Sequence, residues 1–224
     1  MSAAALAPLP TPVPPIGEPV APDTGIFPRR WTVQEYHRAA QGGVFGPDER
    51  LDLIQGEILK KVAQNPPHRT ALRNTAKTLE RTLGAGFEVF SQAPFVASAD
   101  TEPEPDVYVV PGASNDYADR DIQTSDILLL VEVSDTTIGF DRGRKAAVYA
   151  EAGVADYWVL NVQERCLEVR REPATLPPGE PFPFGYQTIT VFQEPEAVAP
   201  LASPDRPVRV ADLLPPPPQT GERS

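Results

Sequence analysis

Short apolar runs alternate with helix-like segments along most of the chain. Five runs rich in Val, Ile, Leu and aromatic residues are bounded by Gly, Pro or polar residues, which is typical of strands: Phe87–Ser91, Asp106–Val110, Ile127–Ser134, Asp156–Val162 and Leu167–Arg171. The last two runs are joined by residues 163–165, a connection short enough for an antiparallel hairpin. Residues 51–61 predict another hairpin, with Gln55-Gly56 as its turn, because glycine accepts a positive φ at little cost.

Three segments between these strands have helical patterns: Thr32–Ala40, the stretch from Asn65 to Gly84, and Asp141–Ala152. Thr32 and Glu35 have the spacing of a capping box. Asn65 is a good N-cap and is followed by proline, while Asp141 is predicted to cap the third helix before Gly153 ends it. Helices inserted among buried strands predict an α/β protein in which helices flank a mixed sheet.

Proline is unevenly distributed and suggests where the folded domain ends. The chain has 224 residues, of which 28 are proline, and the prolines crowd near both termini. Such segments tend to be extended and poorly packed. We therefore expect a leader over residues 1–26, one domain over 27–196 and a proline-rich tail over 197–224.

Charge and cysteine content restrict the classes of protein. The net charge of −11 argues against a simple nucleic-acid coat protein, so DNA binding would require a local basic surface. Arg69, Arg73 and Lys77 follow one another at i, i+4 and i+8; they form either a solvated helix face or a stripe that faces phosphates. The single cysteine, Cys166, and the absence of a signal-peptide pattern lead us to expect a soluble cytoplasmic protein without a membrane partner.

A carboxylate inside the most apolar strand is the strongest sign of chemistry. Glu132 and Ser134 point to the same side of Ile127–Ser134, because side chains alternate along a strand. A buried ionised Glu needs a partner, which could be a metal ion or a core arginine. Asp106 begins a neighbouring strand, and two carboxylates suit Mg²⁺ or Mn²⁺. Two histidines and one cysteine in the whole chain make a zinc site improbable.

A basic residue follows these acids on the third predicted helix. Helical spacing places Asp141, Lys145 and Tyr149 on one face. Lys145 is either a surface lysine or a group that reaches a phosphate held near the acids. In the second case its replacement by alanine should remove activity and leave folding nearly intact.

These residues together resemble one protein family. Pro105-Asp106, Glu132-Val133-Ser134, Asp141…Lys145…Tyr149 and the segment Gly153–Leu160 are similar to the Uma-type restriction-endonuclease family. That family belongs to the PD-(D/E)XK nuclease superfamily and is abundant in bacteria. The hairpin near residue 51 also matches, and His68 matches a histidine that often opens the family's helix. The resemblance extends over residues 30–172.

The resemblance implies a restriction-endonuclease-like fold and a metal-dependent endonuclease that hydrolyses DNA. It implies Asp106, Glu132 and the carbonyl of Val133 as ligands of Mg²⁺ or Mn²⁺. The superfamily places a lysine where this chain has Ser134, and Lys145 is the expected replacement. The remaining expected roles are an additional catalytic acid, Glu57; supporting residues Ser134, Tyr149, Asp141 and His68; and DNA-contacting residues Arg69, Arg73 and Lys77. A homodimer is one expected assembly, because many nucleases dimerise to cut both strands.

Two other functions remain open at this stage. A catalytically silent nuclease fold could serve as a binding or scaffold module, which suits the acidic composition and the proline-rich ends. A phosphohydrolase acting on a small substrate also suits the acidity, although the chain lacks the phosphate loop GxxxxGK[ST].

Overall fold

A six-stranded mixed sheet lies between helices in this computed structural model, which describes residues 27–217. The helices are α1 (Val33–Gln41), α2 (Pro66–Leu83), α3 (Ile138–Phe140) and α4 (Ala146–Ala152). The strands are β1 (Leu51–Ile54), β2 (Glu57–Lys60), β3 (Phe87–Ser91), β4 (Val107–Pro111), β5 (Leu129–Ser134), β6 (Asp156–Asn161), β7 (Cys166–Thr175), β8 (Phe184–Gln193), β9 (Ala197–Val198) and β10 (Val208–Arg209). The predicted class, an α/β protein with a mixed sheet flanked by helices, is confirmed.

Strand order in the sheet is β3-β4-β5-β6-β7-β8. Only the β5–β6 pair is parallel, and the helical segment α3–α4 provides the crossover between these two strands. The predicted hairpin of β6 and β7 is present and antiparallel. Strand β8 was not predicted, and its residues 187–191 are all exposed at the sheet edge. An edge strand with one solvated side lacks the apolar run that marks a buried strand.

Helix α2 packs on one face of the sheet through a stripe of small and apolar residues. Ala71, Leu79 and Leu83 are almost completely buried against residues of the central strands. The Asn65 side chain accepts a hydrogen bond from the backbone N–H of His68 at 3.0 Å, so the predicted cap is present. The helix ends at Gly84, whose φ of 65° is readily available only to glycine.

The opposite face is covered by one longer helix that differs from its prediction. A π-helical segment, Asp141–Lys145, joins α3 to α4, so the helix begins at Ile138. Asp141 is therefore not an N-cap: its N–H donates to the carbonyl of Thr137 at 3.0 Å, and its carboxylate accepts from the Thr137 hydroxyl at 2.6 Å. Single π-turns inside α-helices are rare, and those that occur are often found at functional sites.

The β1–β2 hairpin and α1 pack together beside the sheet. Gln55 and Gly56 both have positive φ, as a two-residue hairpin turn requires. Thr32 and Glu35 form the predicted capping box of α1. The backbone of β1 bonds to Glu102, which anchors the hairpin next to the segment leading into β4.

Residues after 196 belong to the domain as far as the structure describes them, which corrects the predicted tail. Strands β9 and β10 pair, and an apolar set from this segment is buried in the core beside α2: Val198, Val208, Val210, Leu213 and Leu214. Asp156 accepts from the N–H of Leu201, and the Leu214 carbonyl accepts from Asn74. The many prolines of this segment led to the prediction of a tail, although its apolar residues are spaced so that they pack in the core. The predicted leader, 1–26, and residues 218–224 lie outside the described residues.

Two smaller expectations concern Cys166 and the membrane. Cys166 is buried at the start of β7, as a structural thiol would be. Between residues 27 and 217, no helix has the length and apolar character needed to cross a bilayer.

We predict that a chain ending at Asp212 unfolds at least about 8 °C below the full chain in a thermal melt. It lacks the buried Leu213 and Leu214, and losing a buried leucine lowers the free energy of unfolding by roughly 2–5 kcal/mol. Each kcal/mol lowers the melting temperature by about 2–4 °C in a domain of this size. A chain ending at Pro217 is the control and should melt like the full chain. Equal melting of both truncated chains would contradict the packing described here.

Candidate active site

A cavity of about 280 Å³ opens where the hairpin, α2 and the ends of β4 and β5 meet. Its walls come from four parts of the chain: the β1–β2 hairpin, the loop leading into α2, the strand ends with residues 135–137, and the helical segment around Asp141. Asn65 at the start of α2 donates to Asp135 after β5, which joins two of these walls. The cavity therefore exists only in the folded chain.

Asp106 and Glu132 meet in this cavity as cross-strand neighbours. β4 and β5 are antiparallel with Val107 opposite Val131, and one further residue in this register places Asp106 opposite Glu132. Both side chains line the cavity and both residues are buried, at 5% and 2% exposure. The Asp106 carboxylate also accepts from the Val133 N–H at 3.0 Å, which holds it against β5.

Lys145 lies at the centre of the acidic groups. Its Nζ donates to Glu132 Oε1 at 2.7 Å and lies 3.9 Å from Asp52 and 3.8 Å from Asp141. Lys145 is only 5% exposed, so its interpretation as a surface lysine is wrong. The π-helical segment supplies both Asp141 and Lys145, and the helix aims both into the cavity.

Burial and the Lys145–Glu132 attraction act in opposite directions on the pKa of each partner, and the net shift is upward for both. Burial raises the pKa of Glu132 to about 7, and the neighbouring Asp106 adds to this effect while Lys145 opposes it. Burial alone would lower the pKa of Lys145, but the surrounding carboxylates outweigh it and raise that pKa. Lys145 therefore stays an ammonium group, and Glu132 is protonated more readily than a carboxylate in water.

Two neutral or weakly basic side chains hold the acids in place. The Tyr149 hydroxyl, completely buried, donates to Glu132 Oε1 at 2.6 Å. His68 Nε2 lies 3.2 Å from Asp106 Oδ2. Burial lowers the pKa of His68, but its hydrogen bond to Asp106 and the negative charges of Asp106 and Glu132 together outweigh burial, and the net shift is upward. Burial would raise the pKa of Asp106, yet the bond to His68 and nearby positive charges lower it overall.

The structure does not bring every expected residue to the cavity. Glu57 lies outside it, in ion pairs with Arg30 at 2.6 Å and with Arg144 at 2.8 Å. Its expected catalytic position is corrected, because Glu57 stands next to the hairpin turn, where the two arginines bind its carboxylate. Asp52 of the same hairpin lies in the cavity instead. It carried the same signal as Glu132, an acid within an apolar strand, and could have been found that way.

The remaining expected residues lie around this centre. Ser134 is completely buried on the Glu132 side of β5. An exposed stripe on α2 is formed by Arg69, Arg73 and Lys77. Arg69 donates to the carbonyl of Gln64, a residue of the cavity wall, so the stripe begins beside the cavity. Lys61 was not predicted as a site residue, but it lies 3.4 Å from Asp52 and lines the cavity.

The side chains in the cavity suit a Mg²⁺ ion that keeps several water ligands better than an ion whose ligands all come from the protein. Within residues 27–217 no three His, Cys, Asp or Glu side chains converge as a metal-binding group. Mg²⁺, however, is typically held by one or two carboxylates and keeps several waters. Both side-chain hydrogen bonds to Glu132 in the described part of the chain go to Oε1, so Oε2 stays available. Asp106 faces the same space.

Comparison with known proteins identifies the family of the chain. The family described as Uma2, "Putative restriction endonuclease", matches residues 33–207, which is more than half of the chain. The chain belongs to the Uma2 family. A search of curated proteins found no significant match.

A solved structure supports the Uma2 fold. A crystal structure titled as a putative nuclease belonging to DUF820 from Anabaena variabilis is 16% identical in sequence and superposes with a TM-score of 0.56. The alignment covers 82% of this chain and 97% of that one. At this identity the likeness shows the fold, and the Uma2 match extends beyond 196 into the segment that packs beside α2.

We predict that Lys145→Ala lowers the free energy of unfolding by about 3–5 kcal/mol, because it leaves buried carboxylates without their cation. Urea denaturation measures the change. This differs from the expectation that folding stays nearly intact. Adding Glu132→Gln to Lys145→Ala should recover part of the loss. The exposed Lys77→Ala is the control, expected within about 0.5 kcal/mol of the parent. A similarly small change for Lys145→Ala would contradict the buried ion pair.

Proposed function

We propose that this Uma2 protein is a divalent-metal-dependent endonuclease that hydrolyses DNA phosphodiester bonds. The observation that carries the proposal is the convergence of Asp106, Glu132 and Lys145 in one cavity, from three separate segments of the chain. Two acids can hold a metal ion and a lysine can stabilise developing negative charge, so these three groups together suit such hydrolysis. Membership of a family described as restriction endonucleases supports the same reaction.

Asp106 and Glu132, with the Val133 carbonyl, would hold Mg²⁺ or Mn²⁺. When bound, such an ion polarises the scissile phosphate and lowers the pKa of a coordinated water. The protein's own part is to keep the two carboxylates facing one space. The Val133 N–H and His68 hold Asp106, while Tyr149 holds Glu132 through the oxygen it shares with Lys145.

Lys145 supplies a fixed positive charge where negative charge grows during the reaction. Its ammonium is positioned before substrate arrives, because Glu132, Asp52 and Asp141 surround it. A preorganised donor of this kind is typically worth roughly 100- to 1000-fold in rate. A guanidinium at the same point is broader and planar, so Lys145→Arg is expected to be impaired as well.

The proposed reaction consumes one water for each bond cut. The water oxygen forms a new bond to phosphorus, and the bond from phosphorus to one bridging oxygen breaks. The leaving oxygen receives a proton and becomes a hydroxyl group. The products are a phosphomonoester end and a hydroxyl end, so no oxidant, reductant or co-substrate is needed.

The stripe of Arg69, Arg73 and Lys77 would hold the DNA backbone beside the cavity. Its side chains are exposed on one face of α2, and that helix begins at the cavity wall. Contacts to phosphates position a nucleic acid without reading its sequence. A local stripe is needed because the chain as a whole carries a charge of −11.

We predict that the parent protein linearises or nicks circular DNA, offered as separate single-stranded and duplex circles, in Mg²⁺ and not in EDTA. Circles have no ends, so conversion measures endonuclease activity. Glu132→Gln and Asp106→Asn should each lower the rate at least about 100-fold, because each removes one ligand charge. The exposed Asp48→Asn is the control and should cut like the parent.

Two outcomes would argue against this function. Cleavage by Glu132→Gln at the parent rate would mean that a contaminant or another site cuts the DNA. DNA binding without cleavage of either circle would favour the silent scaffold module instead. Circular dichroism of each variant excludes loss of folding as the cause.

We predict that Arg73→Ala weakens DNA binding to a similar extent for different sequences. It should also reduce the slope of log K against log salt by about 1, the value for one lost phosphate contact. Arg209 is also exposed but lies on β10, and Arg209→Ala is the control with no change in slope. An unchanged slope for Arg73→Ala would mean that the stripe is only a solvated face.

A further inference from the structure

The proposed catalytic groups lie deep in the cavity and not on an open surface. Asp106, Glu132 and Lys145 are each at most 5% exposed. Val62 lines the same cavity but is 70% exposed, so it marks the mouth. A phosphodiester must therefore enter the cavity to reach these groups.

The size and depth of the cavity restrict which DNA can enter. Its volume of about 280 Å³ is close to the lower end of small-molecule sites, roughly 300–1,000 Å³, which is suitable for one nucleotide. Duplex DNA is stiff, with a persistence length of about 50 nm, and its bases are stacked and paired. Enzymes that seat a base in an enclosed pocket act on single strands or extrude the nucleotide from the duplex, at a cost in unstacking and unpairing. A single strand can enter without that disruption.

Part of the outer wall of the cavity is formed by apolar side chains. Leu59, Val62 and Ala63 line one part of the wall and Phe140 lines another. Phe140 is half-buried at the end of α3. Unstacked bases bind to exposed aromatic and apolar side chains regardless of their sequence. The wall therefore suits the face of an unpaired base.

The charge around the mouth also favours a single strand. Duplex DNA carries one charge per about 1.7 Å of axis, whereas one strand carries one per about 3.4 Å. The cations that line the cavity besides Lys145 are Arg50, Lys60, Lys61 and His68 when protonated. Arg50, Lys60 and Lys61 each pair with an acid of the protein, so the positive charge left at the mouth matches a short stretch of single strand better than a long duplex.

We propose that the substrate of this site is single-stranded DNA, with one unpaired nucleotide seated in the cavity. Its base lies against Phe140 and Val62, and its phosphodiester reaches Asp106, Glu132 and Lys145. The proposal rests on the proposed endonuclease function and adds the class of DNA that is cut.

Binding is tested first, in EDTA, so that no cleavage occurs. The probe is a single-stranded oligonucleotide that contains 2-aminopurine, whose fluorescence changes when the base stacks on a new surface. We expect binding to change the fluorescence, and unlabelled duplex of the same sequence to compete at least about 10-fold more weakly. Phe140→Leu, which keeps an apolar side chain, should weaken binding about 10-fold by removing one base–aromatic contact. Phe27 is 68% exposed outside the cavity, and Phe27→Leu is the matched control.

Cleavage is tested with a single-stranded circle and a relaxed duplex circle of the same sequence in Mg²⁺. We expect the single-stranded circle to be cut at least about 10-fold faster. Val62→Ala should slow this cleavage several-fold at subsaturating DNA, whereas Val44→Ala, at a residue of similar exposure outside the cavity, should not. Thermal melts confirm that both variants fold.

The outcomes separate this proposal from the endonuclease function itself. Equal or faster cleavage of the duplex circle would overturn the single-strand proposal and leave the endonuclease function standing. If neither circle is cut but the single strand still binds in a Phe140-dependent way, the endonuclease function fails and the ligand class stands. Binding that is insensitive to Phe140→Leu and equal for duplex overturns the seating of a base in the cavity.

Discussion

The buried ion pair of Lys145 and Glu132 is the interaction on which the rest of the site depends. Glu132 lies in the central strand β5, where an unpaired carboxylate would be costly, and Lys145 needs acids around it for the same reason. The attraction joins the helix on one face of the sheet to the strand beneath it. Asp52 extends the same cluster to the hairpin, so three elements share one set of charges.

The sheet topology explains why these groups meet at one point. The parallel pairing of β5 and β6 requires a crossover, and the crossover helix returns over the face that carries Glu132. Its π-helical turn places Asp141 and Lys145 at the cavity before the regular helix α4 begins. The antiparallel strand β4 then brings Asp106 opposite Glu132. The proposed activity and the stability consequently draw on the same few residues, as is common for preorganised sites.

Many of the strands, helix caps and site acids could be predicted because each depends on the pattern of a few neighbouring residues. The five strands and the capped starts of α1 and α2 follow from apolar runs and from Thr32 and Asn65. Glu132 and Asp106 were recognisable as acids in or beside apolar strands. The elements that were not predicted lack such local signals. Edge strand β8 is exposed, and Leu213 and Leu214 stand beside prolines, which are typical of poorly packed segments. The beginning of the third helix was misplaced because the Asp141 side chain bonds back to Thr137 instead of capping.

The sequence by itself determined the buried strands, the capped helices α1 and α2, the class of fold and the acids of β4 and β5, because hydrophobic periodicity and capping act over a few residues. Only the tertiary structure decided which distant groups join them. It selected Asp52 over Glu57, although the hairpin register places both acids on one face: Asp52 lies away from the turn and near Lys145, whereas Glu57 stands at the turn and pairs with Arg30 and Arg144. It also buried Lys145, because the cost of an isolated charge in the core is removed only where three carboxylates from separate segments meet.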